Sequence, residues 1–209
     1  MHRLNRYLFL VRIFLHRGGY KRANYLRKKK YFKAIGEHCY LQPWNFGTEP
    51  QMISFGNNVH VASGVSFITH DITALMFRYM DNDPSIEERK GSISIGDNVF
   101  IGRNSIILMG THIGSNVIIG AGSVVHGVIP DNVVAAGNPA RTICTLDEHL
   151  EKRRNRTADE AVNTARSYKQ KYGKCPSELE MSSFRELFGG NAVSEKYWTS
   201  FEDFLKEIN

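Results

Sequence analysis

A chain of 209 residues, 42% hydrophobic and 23% charged, is long enough to bury a substantial core and lies in the ordinary globular range. That length favours one main domain with accessory segments over two independent domains, and six prolines argue against long disordered linkers. The formal charge of +6 is unevenly placed: residues 1–33 hold eleven of the 27 Lys and Arg and no acid, which leaves 16 bases against 21 acids in residues 34–209.

Residues 1–33 read as a basic helical segment. A charge run of this kind suits a solvated docking helix, a membrane-surface helix or a nucleic-acid arm. The first is the commonest, and the third lacks interleaved base-stacking motifs, so no nucleic-acid partner is expected. The apolar run from Tyr7 to Leu15, YLFLVRIFL, is broken by Arg12 and falls well short of the roughly 20 residues that span a bilayer. It has the charged start and apolar middle of a signal peptide but no small-residue cleavage site. The segment is therefore read as retained in a cytoplasmic protein, with peripheral membrane contact as one use for it. Cys39, Cys144 and Cys175 are odd in number and lack CxxC spacing, so neither a disulfide framework nor a metal site is implied.

The stretch 34–145 is organised by a repeat. Aliphatic residues recur at every sixth position, Ile95, Ile101, Ile107, Ile113, Ile119 and Val125, a period that belongs to neither a helix (3.6) nor a strand (2). Such a rhythm requires a coil in which each hexapeptide forms one flat side and three sides make a turn. Small or β-branched residues Val99, Ser105, Thr111, Val117 and Ser123 follow each aliphatic by four places and fill a second inward row. Between the rows stand turn residues such as Asp97-Asn98 and Ser115-Asn116. The same phase appears upstream at Phe55, Val61 and Phe67, and more weakly from Ile35.

From Phe67 to Ile95 is 28 residues, not a multiple of six, and the segment from His70 to Lys90 is charged, with Met and Pro84. A loop of about residues 70–91 is therefore inserted into the coil. Long loops on rigid scaffolds carry function disproportionately, and this one opens with His70-Asp71. The coil closes over residues 129–141. Thr145-x-x-Glu148 and Thr157-x-x-Glu160 have the form of capping boxes, which predicts helices near 146–156 and 158–172, ended by Gly173 and Pro176. A short final helix is expected after Ser200, so residues 146–209 form a helical extension.

The rhythm, together with IGAGSVVHGVIPDNVVAAGNPAR at residues 119–141, resembles the hexapeptide-repeat acyltransferases, notably the maltose, galactoside and serine acetyltransferases and the polysaccharide O-acetyltransferases. The resemblance covers about residues 35–145; the ending SFEDFLKE is similar to tails of polysaccharide-cluster acetyltransferases. It implies a mainly β fold, a left-handed parallel β-helix that departs from the right-handed crossover rule, assembled as a homotrimer with active sites between neighbouring coils. It further implies acetyl-coenzyme A as acyl donor and a sugar or polysaccharide acceptor; the sequence shows no metal-ligand cluster, so no metal is expected.

Acetyl transfer to a hydroxyl needs its proton removed as the oxygen attacks the thioester, a task suited to imidazole. His70, in FITHD, resembles the family's catalytic histidine. Asp71 could orient that ring or cap the loop through an Asx-turn, in which case a more distant carboxylate or a backbone carbonyl holds His70. The resemblance places coenzyme A near Ala121 and His126, with Arg141 by the adenosine phosphates, where a guanidinium suits phosphate. Ala121 serves equally as a small corner residue. Two other readings remain: an amino sugar or antibiotic as acceptor, and a non-catalytic β-helix scaffold.

Overall fold

The computed structural model describes residues 11–81, 85–188 and 198–208, so part of the run from Tyr7 to Leu15, and Pro84 of the inserted loop, lie outside the described residues. The chain divides into two units, Met1–Leu146 and Asp147–Asn209.

The first unit is a three-sided coil. One side stacks β1 (Ala34–Ile35), β3 (Ile53–Phe55), β6 (Ile93–Ile95), β9 (His112–Ile113) and β12 (Val128–Ile129), all parallel. The second stacks β2 (Tyr40–Leu41), β4 (Val59–Val61), β7 (Val99–Ile101), β10 (Val117–Ile119) and β13 (Val133–Gly137), with β14 (Ala140–Thr145) returning antiparallel at its end. The third holds β5 (Ser66–Ile68), β8 (Ile106–Leu108) and β11 (Val124–Val125). From β3 to β13 successive strands fall on successive sides, which is the arrangement the six-residue period requires.

Register explains the pattern. Val99 pairs with Val117 and Ile107 with Val125, a step of 18 residues, or three hexapeptides. Phe67 pairs with Ile107, a step of 40, so that coil carries 22 extra residues (40 less 18) between β5 and β6. The six aliphatics from Ile95 to Val125 are all buried, and so are Ser105, Thr111 and Ser123 of the second row. Those buried hydroxyls are paired: Ser105 Oγ donates to Gly102 O at 2.9 Å, Thr111 Oγ1 to Val125 O at 3.2 Å and Ser123 Oγ to Gly120 O at 2.6 Å, as buried polar groups must be.

The corner between the first and second sides is built by asparagine. Asn58, Asn98, Asn116 and Asn132 all take positive φ, between 54° and 60°, the left-handed conformation that Asn tolerates better than most residues. Each side-chain amide donates to the next: Asn58 to Asn98, Asn98 to Asn116 and Asn116 to Asn132, every bond 2.9 Å. The corners thus form a hydrogen-bonded ladder running along the coil.

The starting end of the coil is covered by α1 (Gly19–Lys28). Gly19 is required there, since a Cβ would stand 2.7 Å from the Tyr40 ring on β2. Arg22 is buried and donates to the carbonyls of Ile13, Leu41, Gln42 and Pro43; its burial lowers the guanidinium's pKa, a cost met by those acceptors.

In the second unit, α3 (Leu146–Tyr172) is one helix of 27 residues where two were expected. Thr157 does not cap a new helix; its hydroxyl donates to Arg153 O at 2.8 Å, four residues back. A mid-helix threonine can satisfy itself this way, and neither Gly nor Pro interrupts the helix. Ala158, Ala161, Val162 and Ala165 line one face and pack in a core with Met181, Leu187, Trp198 and α4 (Phe201–Ile208), the final helix expected after Ser200.

Candidate active site

The inserted segment is pinched at its base. His70 bridges Lys90, Asp71 N donates to Arg89 O at 3.0 Å, and Gly91 N donates to Thr69 O at 2.9 Å. Within it the chain is not all loop: α2 (Thr73–Asp81) forms there. Asp71 starts that helix, its Oδ1 accepting from Thr73 Oγ1 at 2.7 Å and Thr73 N at 3.2 Å. The Thr73 side chain, with lesser help from its backbone N–H, Arg89 and His70, holds the Asp71 carboxyl below the usual range. Orientation of the His70 ring by Asp71 is therefore not what the geometry shows, because that carboxylate is engaged by the helix start.

Glu49 holds His70 instead. Its Oε2 lies 2.9 Å from His70 Nδ1 and also accepts from Thr69 Oγ1 at 2.8 Å and Thr48 Oγ1 at 2.7 Å. Partial burial opposes ionisation of Glu49, but the two hydroxyls and His70 outweigh it and hold the carboxyl below its ordinary value. His70 Nε2 has no hydrogen-bond partner among the described residues. The pair can therefore hold one ring nitrogen while presenting the other to a substrate.

The first coil explains how Glu49 arrives. Its third side is the irregular stretch 42–49, in which Phe46 turns inward, fully buried, and stacks on Phe67 with centroids 5.8 Å apart. Phe46 and Phe67 are 21 residues apart, as are Glu49 and His70. The same inward packing that aligns the two phenylalanines sets the carboxylate beside the imidazole three residues later. Sequence reasoning missed Glu49 because this coil departs from the six-residue phase. The available signal was the step of 20 between paired residues Ile35 and Phe55, and Leu41 and Val61, which puts the neighbour of His70 near residue 50.

The remaining candidates do not gather around His70. Ala121 is exposed at the turn between β10 and β11, and Arg141 lies on β14 opposite Ala136, whose Cβ adjoins Gly120. These two share the corner between the second and third sides. His126 is exposed at the other edge of the third side, following β11, so it continues the register line from Ile68 through Leu108. Two strand spacings, about 10 Å, separate His126 from that Ile68. Ala121 and His126 are five residues apart, at most about 17 Å at roughly 3.3 Å per residue. Only an extended ligand could touch the whole set. Among the described residues no three His, Cys, Asp or Glu are grouped as metal ligands.

A family model described as the hexapeptide repeat of succinyl-transferase matches residues 92–126. Protein CapG of Staphylococcus aureus is 50% identical over 104 residues, covering 50% of this chain and 59% of that protein, so the match spans under two thirds of this relative's length. The galactoside O-acetyltransferase of Escherichia coli is 33% identical over 142 residues, covering 57% of this chain and 67% of that enzyme. Among solved structures, a galactoside acetyltransferase in complex with coenzyme A superposes with a TM-score of 0.51 at 26% identity, over 71% of this chain and 82% of that one. The coil, its register and these relatives agree: the chain belongs to the hexapeptide-repeat acetyltransferase family.

Proposed function

We propose that the protein is an acetyl-coenzyme A-dependent acetyltransferase that modifies a hydroxyl of a sugar or cell-surface polysaccharide, with His70 as general base. The observation that carries this reading is the His70–Glu49 contact of 2.9 Å at the mouth of the inserted segment. His70 Nε2 takes the proton from the acceptor hydroxyl as its oxygen bonds to the thioester carbonyl carbon. When the carbon–sulfur bond breaks, the same Nε2–H returns that proton to the departing thiolate. Glu49 keeps the proton on Nδ1 in place and offsets the charge that the ring acquires between the two transfers.

Arg141 and Ala121 form the corner where an extended donor would lie, the guanidinium toward phosphate and the small side chain leaving room for the chain, with His126 farther along the third side. Left-handed winding and a homotrimer belong to the same proposal. Exposed Phe100, Val128 and Ile143 on the outer faces of the coil supply apolar surface for contacts between copies. An amino sugar or an antibiotic would use the same base and differ only in the acceptor.

The test is a free-thiol assay with acetyl-coenzyme A against a panel of oligosaccharides, free sugars, amino sugars and antibiotics. Thiol release that depends on a hydroxyl-bearing glycan is expected. Turnover with amines alone would move the acceptor assignment, and absence of thiol release with every acceptor class would leave a scaffold.

A further inference from the structure

The N-terminal end of the first unit carries a surface that contains none of the candidate site residues. Residues 11–15 are helical; Ile13 is buried, whereas Val11, Phe14 and Leu15, spaced i, i+3 and i+4, are 53%, 60% and 66% exposed. Phe14 meets the half-exposed Trp44 edge-to-face at 6.4 Å, so the apolar patch extends onto the first coil. Arg12 and Arg17 flank it in sequence and Lys21 and the run 28–30 follow on the same segment, all of them exposed, and residues 11–33 contain no acid. Three cations of the segment are already engaged, Arg22 by carbonyls, Arg27 by Glu37 at 3.3 Å and Lys29 over the Tyr25 ring at 6.0 Å.

An exposed apolar patch on an acid-free segment of exposed cations is the composition of a helix that lies in the interface of an anionic bilayer. A second copy of the chain suits this face poorly, since two such basic segments would meet with no acid between them. We propose that this end of the molecule docks on an anionic lipid surface, Val11, Phe14, Leu15 and Trp44 entering the interface and Arg12, Arg17 and Lys21 facing the headgroups. The sequence before Val11 has the same character, with Arg3 and Arg6 followed by Tyr7-Leu8-Phe9-Leu10. β1 and β2 end their sheets and pair with β3 and β4. The coil that carries His70 is therefore next to the docking end, about 5 Å farther along the axis. Docking would hold the site close to headgroup-anchored glycans, a consequence that rests on the proposed acceptor, whereas the docking itself does not.

The test is flotation of the full-length protein with vesicles of phosphatidylcholine, with and without phosphatidylglycerol. Wild type is expected to float only with the anionic vesicles and to be released by salt. Each cation near such a surface contributes on the order of fivefold in partition, so Arg12→Glu/Arg17→Glu/Lys21→Glu should bind at least about a hundredfold more weakly. Thiol release with a soluble acceptor should be unchanged in that variant, which separates docking from catalysis. Should the triple variant lose its coil by circular dichroism, Arg17→Gln/Lys21→Gln is expected to weaken binding about twenty-fivefold. Phe14→Ser/Leu15→Ser should abolish flotation while the protein's mass by light scattering stays the same. Wild type that ignores anionic vesicles, or charge variants that float as wild type does, would overturn the proposal. Unchanged flotation with a reduced mass in Phe14→Ser/Leu15→Ser would also overturn it and assign the patch to a contact between copies.

Discussion

Glu49→Gln removes one charge and leaves an oxygen where the carboxylate stood, so it isolates the electrostatic part of the pair. An imidazolium and a carboxylate about 4 Å apart attract by about 1 kcal/mol in water and about 4 kcal/mol at an effective dielectric of 20. With the His70 and Glu49 side chains 29% and 20% exposed, the pair lies between those limits, and about 2 kcal/mol of transition-state stabilisation is at stake. That is roughly a 30-fold fall in kcat, with KM for acetyl-coenzyme A little changed, because Glu49 touches the ring and not the donor. Glu49→Ala should cost more, since Thr48, Thr69 and His70 all lose their common acceptor. The assay is steady-state thiol release at saturating donor. A Glu49→Gln enzyme with wild-type kcat, or with a change confined to KM, would refute the reasoning.

Ile113→Ala should destabilise the coil by about 3–4 kcal/mol, because the side chain is wholly buried and a cavity would remain; chemical denaturation of the full chain measures it. Asn98→Ala should cost about 2 kcal/mol, combining the left-handed φ of 56° with the loss of two rungs of the ladder, whereas Asn98→Gly should cost less because it relieves the backbone term. In the second unit, hydrogen bonds led by the Ser177 N–H pull Glu180 from 4.5 down to about 2, and the Glu180 contact pushes Tyr168 from 10.0 up to about 12. The stabilisation from Glu180 is present above pH 4.5 and lost as pH falls toward about 2. That from Tyr168 is present below pH 10 and lost as pH rises toward 12. Amide exchange around Ser177 should follow both limits, and Glu180→Gln should remove the acid one.

The coil was legible because its constraint is local and repeated. From Ile95 to Val125 every sixth residue is a buried aliphatic, so the constraint of the inward row is displayed six times. The inserted segment was legible for the converse reason, as the place where the phase fails. What the sequence did not disclose depends on contacts between coils. Glu49 becomes the partner of His70 only through Phe46 packing on Phe67, in a coil with irregular spacing. Asp71 stood beside the histidine in sequence, yet neighbouring side chains diverge and the start of α2 took its carboxylate. Thr157 carried a capping signature that the continuous packing face of Ala158, Ala161, Val162 and Ala165 overrode. Nor did the rhythm reveal the corner ladder, although the recurring asparagines that build it were visible as turn residues.

If His70 performs the proton transfer, the coil should bind the donor without it. Acetyl-coenzyme A binding by calorimetry and acceptor-dependent thiol release, both measured on His70→Ala, separate the two. Donor affinity should stay within about twofold of wild type, and kcat should fall by the roughly 10²–10⁴ that a general base supplies. Turnover at the wild-type rate would contradict the assignment of His70 as the base.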